Sequence, residues 1–253
     1  MITYSFVDGE YLQREVKAVL ERNGLSAAEP ITLRNLCSAK KIFYYDSLPA
    51  RKPGETNEDF EARRLFKRKQ LDKFSLERGV HCREGFSRFR RGQLQQKGVD
   101  VLLAVEALQN SFQRNMDVCQ IVTGDLDFAP LVDALVTNGV EVHLKVFANS
   151  ASEDLVRMAD FCAEYQPYQV LNALSEEMRI FSHSDGWNGV LPSNLKGLPI
   201  DEVDVLDNKI HLIQEGSSWH SFSPHGVYRS RSREVAIAAQ AERIRYLNNT
   251  SPK

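Results

Sequence analysis

Residues 118–147 read VCQIVTGDLDFAPLVDALVTNGVEVHLKVF, and the succession of residue types within them decides the fold class. VCQIVT at 118–123 has the composition of a strand buried on both faces. Gly124-Asp125-Leu126-Asp127 breaks it with an acidic turn. Leu131, Val132, Leu135 and Val136 then recur at helical spacing, and Asn138-Gly139 supplies a stop. VEVHLKVF at 140–147 alternates as a strand does. Strand, helix and strand inside thirty residues are a βαβ unit, which implies parallel pairing.

The same alternation extends upstream. ITYSFV at 2–7 is a strand stopping at Asp8-Gly9, followed by a helix through Leu12, Val16, Val19 and Leu20 that closes at Asn23-Gly24. KIFYY at 41–45 is a second strand, ending on Asp46. Thr56 and Asn57 cap a charged helix over 58–78, with Glu58, Asp59 and Glu61 in its favoured acidic first turn. VHCRE at 80–84 is a short strand. A basic loop with Arg88, Arg90 and Arg91 runs on to Lys97-Gly98. A helix then begins at Val99, with Val101, Val105, Leu108 and Phe112 on one stripe. A helix capped by Ser150 or Ser152 reaches about Tyr165. The expectation is an α/β, Rossmann-like, mostly parallel sheet with helices on both faces. Past Pro167 the pattern changes to Gly, Pro, Asn and Ser with short apolar runs such as VDVL (203–206) and KIHLI (209–213), then a helix over 234–247. Residues 1–166 therefore read as one domain, and 167–253 as a small β-rich module with a terminal helix.

Bulk composition narrows the function classes. The chain has 253 residues, of which 42% are hydrophobic and 26% charged, with a formal net charge of −2. That balance suits a globular protein and rules out a basic arm or acidic tail. It leaves room for a local basic patch, which is what touches phosphate. No stretch approaches the roughly 18 apolar residues of a membrane span, and the N-terminus lacks the pattern of a signal peptide, so a cytoplasmic protein is expected. Cys37, Cys82, Cys119 and Cys162 are widely spaced and read as free thiols.

Four acids carry the chemistry. In a parallel sheet, ligands bind beyond the carboxyl ends of the strands, and Asp8 and Asp125 stand at two such ends. Asp127 follows across a tight turn, and Asp100 opens a helix after Lys97-Gly98. One Asp after a strand is ordinarily a turn residue or a helix cap; four in this arrangement are harder to explain that way. Clustered carboxylates repel one another, and a hard dication such as Mg²⁺ relieves the repulsion. There is no serine nucleophile elbow and no P-loop lysine motif.

FVDGE at 6–10, KGVDVLLAVEAL at 97–108 and TGDLDFAPLVDALVTNGVEV at 123–142 closely resemble the NYN domain, in particular its LabA-like branch among the PIN-like nucleases. The resemblance spans about residues 1–165. It implies a metal-dependent nuclease hydrolysing phosphodiester bonds, generally in RNA, around an acidic centre binding Mg²⁺ or Mn²⁺; DNA is kept as a second candidate substrate. The family's acids fall on Asp8, Asp100, Asp125 and Asp127, and its usual Ser or Thr before Gly-Asp falls on Thr123, on the nucleic-acid side. The family commonly has asparagine where this chain has Tyr11.

Arg88, Arg90, Arg91 and Lys97, with Arg83 just before them, precede the Asp100 helix and read as a phosphate clamp, against a solvated loop. The run Arg63, Arg64, Lys67, Arg68 and Lys69 reads as a solvated face. RSRSR at 229–233 is a compact cluster suited to recognition. Asp46 is the candidate accessory acid; His220 and His225 lack the companions of a zinc site. Two other readings compete. One is a different Asp-x-Asp phosphoryl-transfer enzyme, disfavoured by motif order. The other is a PIN-like module that has lost catalysis and binds RNA or a protein. The C-terminal module is expected to serve substrate choice, a protein partner or self-association.

Overall fold

The structure, a computed structural model, describes residues 1–28, 30–90, 93–176, 178–184 and 186–250, with backbone alone for 86–90, 93–97 and 182–184. In chain order the first part runs β1 (Thr3–Asp8), α1 (Gly9–Arg22), α2 (Leu33–Leu36), β2 (Lys41–Asp46), α3 (Asn57–Ser75), β3 (Val80–Glu84), β4 (Phe86–Arg90), β5 (Gln93–Lys97), α4 (Val99–Phe112), β6 (Val118–Val122), α5 (Ala129–Thr137), β7 (Glu141–Phe147), α6 (Glu153–Met158) and β8 (Phe161–Tyr165). Six of these strands form one sheet in the order β3-β2-β1-β6-β7-β8. Every neighbouring pair is parallel; Val7 sits opposite Tyr44 on one side and Val122 on the other. This is a doubly wound order. Its direction reverses between β1 and β6, where such sheets leave a crevice for a ligand.

Strand alternation explains how both faces are covered. Phe6, Phe43, Tyr45, Ile121, Leu144 and Val146 point to one face, where Leu103 and Ala107 of α4, Leu131 and Leu135 of α5 and Leu155 of α6 close over them. Tyr44 points the opposite way, its ring 4.9 Å from Phe74 of α3 and its hydroxyl bonded to Gln13 of α1 at 3.0 Å. Thr56 caps α3 as expected, its hydroxyl accepting the Asp59 N–H at 3.1 Å.

Three sequence expectations shift. Residues 86–90 and 93–97 are the paired antiparallel strands β4 and β5 instead of a loop. The helix ending near Tyr165 is a short α6 followed by β8, an edge strand exposed along four of its five residues. On α4 the inward residues are Leu103, Ala107 and Ser111, while Val101, Val105 and Phe112 are more than half exposed. That helix is apolar nearly all round, so its stripe does not specify which face meets the sheet.

The second part comprises α7 (Pro167–Asn172), β9 (Ile180–Ser184), β10 (Ile200–Val205), β11 (Asn208–Glu215), β12 (Ser218–Ser223), β13 (Gly226–Ser230) and α8 (Arg233–Thr250). The strands form an antiparallel sheet in the order β10-β11-β12-β13-β9. Along β12, Ser221 and Ser223 face α8, donating hydrogen bonds to the Ala236 carbonyl at 2.9 Å and the Gln240 side chain at 2.7 Å. Phe222 faces the other way and packs with Leu195, Ile213 and Trp187. Val235 and Ile244 of α8 are fully or nearly fully buried, each contributing about 1.5–3 kcal/mol before chain entropy.

The chain divides into two compact units, Met1–Glu15 with Leu33–Tyr165, and Val16–Thr32 with Gln166–Lys253. The second unit thus recruits an early segment. Glu242 of α8 accepts hydrogen bonds from Arg22 at 2.7 and 2.8 Å and from Asn23 at 2.6 Å, and Ile31 bridges Leu174. Among the described residues no helix is long and apolar enough to cross a membrane.

Candidate active site

Asp8 is the last residue of β1, next to the switch point. Its Oδ1 accepts the Tyr11 N–H at 3.1 Å, and its Oδ2 accepts the Thr123 hydroxyl at 3.0 Å. Thr123 is buried just past the end of β6, and its hydroxyl oxygen also accepts the Asp125 N–H at 3.3 Å. Thr123 therefore ties the two strand ends together inside the protein, a different task from touching a nucleic acid. Asp125 caps the short 3-10 turn at 126–128, accepting the Asp127 N–H at 3.0 Å. Asp100 lies in the first turn of α4, after Gly98 with φ 94°.

Burial lifts the Asp8 carboxyl above its ordinary 3.8, and the charges of Asp100 and Glu10 add to the lift. The hydrogen bonds from Tyr11 and Thr123 oppose it. Asp100 is raised too, by burial first and then by Asp125, Glu10 and Asp127. Of the acids singled out in the sequence, Asp100 thus acts on Asp8, and Asp125 and Asp127 act on Asp100. Glu10 acts on both Asp8 and Asp100 and is not among the acids the sequence singles out; its signal is its place in the first turn after Asp8-Gly9. A cavity of about 270 Å³ is lined by Asp8, Glu10, Tyr45, Asp46 and Asp100 among others. Among the described residues no group of three or more His, Cys, Asp or Glu side chains forms a ready metal cage.

Asp46 is buried and already engaged. Its Oδ2 accepts from the Tyr44 hydroxyl at 2.8 Å and pairs with Lys67, and its Oδ1 accepts the Ser47 N–H at 2.7 Å. Lys67 is therefore not part of a solvated face; Arg63 and Arg68 likewise pair with Glu55 and Glu84. Tyr11 is buried. Its hydroxyl accepts the Phe147 N–H at 2.8 Å and bonds Ser150 at 2.6 Å, locking the loop after β7. The departure at this position is thus a packing substitution, and the Tyr11 backbone still holds Asp8. Arg83 binds Glu106, which also takes the Tyr45 hydroxyl. The side chains of Arg88, Arg90 and Lys97, and the whole of Arg91, lie outside the described residues.

The raised carboxyls have a stability consequence. A folded-state pKa above the unfolded 3.8 means that the folded protein holds those protons more tightly. Stability from these groups is full below about pH 4 and is lost as the pH rises through the folded values. In EDTA, Asp8→Asn is expected to melt above the parent near pH 7, with the gap closing towards about pH 4. A variant melting below the parent at neutral pH would show that the charge assistance lost from the Tyr11 and Thr123 hydrogen bonds outweighs the burial.

Compared with protein families, residues 4–165 match the model of the NYN domain. The chain belongs to the NYN domain family. NYN domains are PIN-like, their members are typically nucleases, and such nucleases generally use divalent metals. The doubly wound parallel sheet is the fold expected from the resemblance. No curated protein matches the chain. A solved structure of a Vibrio parahaemolyticus protein of unknown function is similar at 16% identity and TM-score 0.43, covering 64% of this chain and 91% of that one. Outside the NYN domain, His220 and His225 bond Glu215 and Asn208 respectively. Arg231 and Arg233 of RSRSR lie over the rings of Phe181 and Trp219.

Proposed function

We propose that this NYN domain is a metal-dependent nuclease, acting in the cytoplasm on phosphodiester bonds, of RNA first and of DNA second. The observation that carries the reading is the Asp8–Asp100 pair lining one cavity, Asp8 raised by burial and the charges of Asp100 and Glu10, and Asp100 by burial and the charges of Asp125, Glu10 and Asp127. The donor set fits Mg²⁺ or Mn²⁺. Carboxylate oxygens are hard ligands, and Mg²⁺ keeps several waters and needs only one or two carboxylates, so no closed protein cage is required. Asp8 and Asp100, which line the cavity, would hold the ion, and the charges of Asp125 and Asp127, felt at Asp100, would favour it. When bound, such an ion supplies charge neutralisation at the phosphodiester and a water of lowered pKa. Tyr11 and Thr123 fix the Asp8 carboxylate. Glu10 adds negative charge that favours a cation.

Labelled RNA and DNA incubated with Mg²⁺, with Mn²⁺ and with EDTA test the reading. Cleavage dependent on a divalent ion is expected; none under any condition would remove it. The competing reading is a domain that binds RNA or protein without cutting. It is favoured by Tyr11, whose hydroxyl is committed to Phe147 where the family commonly has asparagine, and RNA retention without cleavage would establish it.

The β4–β5 segment, with Arg88, Arg90 and Arg91, is the proposed phosphate clamp. Each phosphate that the protein neutralises on a single strand adds about 0.7 to the slope of log K against log salt. Neutralising the three arginines together is expected to weaken RNA binding and flatten that slope by about 0.7 for each phosphate no longer engaged. An unchanged slope would assign the segment to solvent. The unit formed by Val16–Thr32 and Gln166–Lys253 is proposed to select substrate or to bind a protein partner or a second copy.

A further inference from the structure

We propose that the second unit carries a phosphate-binding site for single-stranded RNA, formed by Arg179, Phe181 and Arg231. The alternation in RSRSR at 229–233 builds it. Ser230 and Ser232 are buried, whereas Arg229 and Arg231 are exposed. The Ser230 hydroxyl donates to the Arg179 carbonyl at 2.9 Å and accepts the Ser232 N–H at 3.1 Å. One buried hydroxyl thus fastens the chain before β9 to the turn after β13, and it brings two arginines to one ring. The Arg179 and Arg231 guanidiniums lie 5.2 and 5.1 Å from the centre of the half-buried Phe181 ring.

Two like charges sharing a ring repel each other, so an anion between them is favoured. The neighbouring arginines are already engaged. Arg233 pairs with Asp201 at 2.6 Å, and Arg229 donates to the Ser218 hydroxyl at 3.2 Å. Neither Arg179 nor Arg231 has a carboxylate partner among the described residues. A cation–π contact uses the flat face of a guanidinium and leaves its edge of N–H donors for an anion. The ring also steadies both long side chains, so less rotamer freedom is lost on binding. Arginine takes phosphate in a planar fork. A small anion suffices for one such fork, whereas a single strand carries an ionised phosphate on every nucleotide and answers both. All three residues belong to the second unit, and none is part of the acidic centre. The anion site stands on this geometry alone; the choice of RNA over an acidic peptide rests on the nuclease reading.

The test is fluorescence anisotropy of a labelled oligouridylate of about twelve nucleotides, titrated with the full chain in EDTA over a range of salt. EDTA suspends metal-dependent cleavage, so the result stands or falls apart from the nuclease reading. The double variant Arg179→Gln, Arg231→Gln is expected to bind about tenfold more weakly. Its slope of log K against log salt should be flatter by about 0.7 for each phosphate released. A melting curve checks the fold. Should the double variant melt lower than the parent, Arg231→Gln alone, at an exposed position, is expected to weaken binding about threefold with an unchanged melting curve. A polyglutamate peptide of about twelve residues is the comparison ligand, expected to bind more weakly than the oligonucleotide. No binding of the oligonucleotide at about 100 µM protein, or an affinity and slope unchanged in the variants, overturns the proposal. So does tighter binding of the peptide, which would make the partner an acidic protein.

Discussion

Asp8→Asn is expected to lower the rate of RNA hydrolysis in Mg²⁺ by about a thousandfold, leaving a folded protein. A divalent ion held by Asp8 and Asp100 would contribute several kcal/mol to transition-state charge stabilisation, and each 1.36 kcal/mol is about tenfold in rate. Asparagine keeps the volume and the oxygen that accepts the Tyr11 N–H, but loses the charge that the ion needs. Asp100→Asn is expected to behave alike, since Asp100 lines the cavity with Asp8 and is the acid on which Asp125 and Asp127 act. Asp127→Asn should cost less, because Asp127 is exposed and reaches the cluster only through its charge on Asp100. Single-turnover cleavage under saturating enzyme measures each. Asp8→Asn cleaving within about threefold of the parent would place the chemistry elsewhere.

Gly124→Ala is expected to cost about 2–3 kcal/mol of stability, read from chemical denaturation. A methyl group there would lie 2.0 Å from the Ser150 carbonyl oxygen and 2.8 Å from the Tyr11 ring. Neither neighbour is free to retreat. The Ser150 hydroxyl is bonded to the Phe147 carbonyl at 2.7 Å, and Tyr11 is bonded to both residues. Displacing Tyr11 would also disturb the N–H that holds Asp8, so cleavage should fall further than stability alone predicts. Gly139→Ala is the control. Its φ is +79° but its surroundings are open, so only backbone strain of about 1 kcal/mol is expected. Equal costs for the two would mean that the crowding at Gly124 is readily relieved.

The motif glycine at 124 shows what was legible in the sequence. Strand ends announce themselves by a switch from β-branched and aromatic residues to Asp8-Gly9 after β1 and Gly124-Asp125 after β6, which is why those two strands and the acids at their ends are readable. What escaped depends on three-dimensional context. The exposed stripe of α4 could not be told from its buried one, because Leu103 and Ala107 are as apolar as Val101 and Val105. The edge strand β8 is five residues long, too short for periodicity to separate from the end of a helix. Glu10 looked like an ordinary first-turn acid. Lys67 looked like one of several surface cations, since nothing local reveals that it reaches Asp46. Tyr11 departs from the family's asparagine, and only its bonds to Phe147 and Ser150 explain why.

The register between β1 and β6 has a bearing on synthesis. Tyr4 pairs with Cys119, and Thr123 reaches back to Asp8 across 115 residues. A ribosome delivers these partners far apart in time, and closing so long a loop needs the intervening segments to be made first. A growing chain that has not yet released β6 owns Asp8 and Asp100 without the hydroxyl that aligns Asp8 or the acids beyond Gly124. Such a chain has no assembled acidic centre. The topology thus withholds the centre from the nascent protein, and completes it only when the central strand of the sheet has been threaded into place.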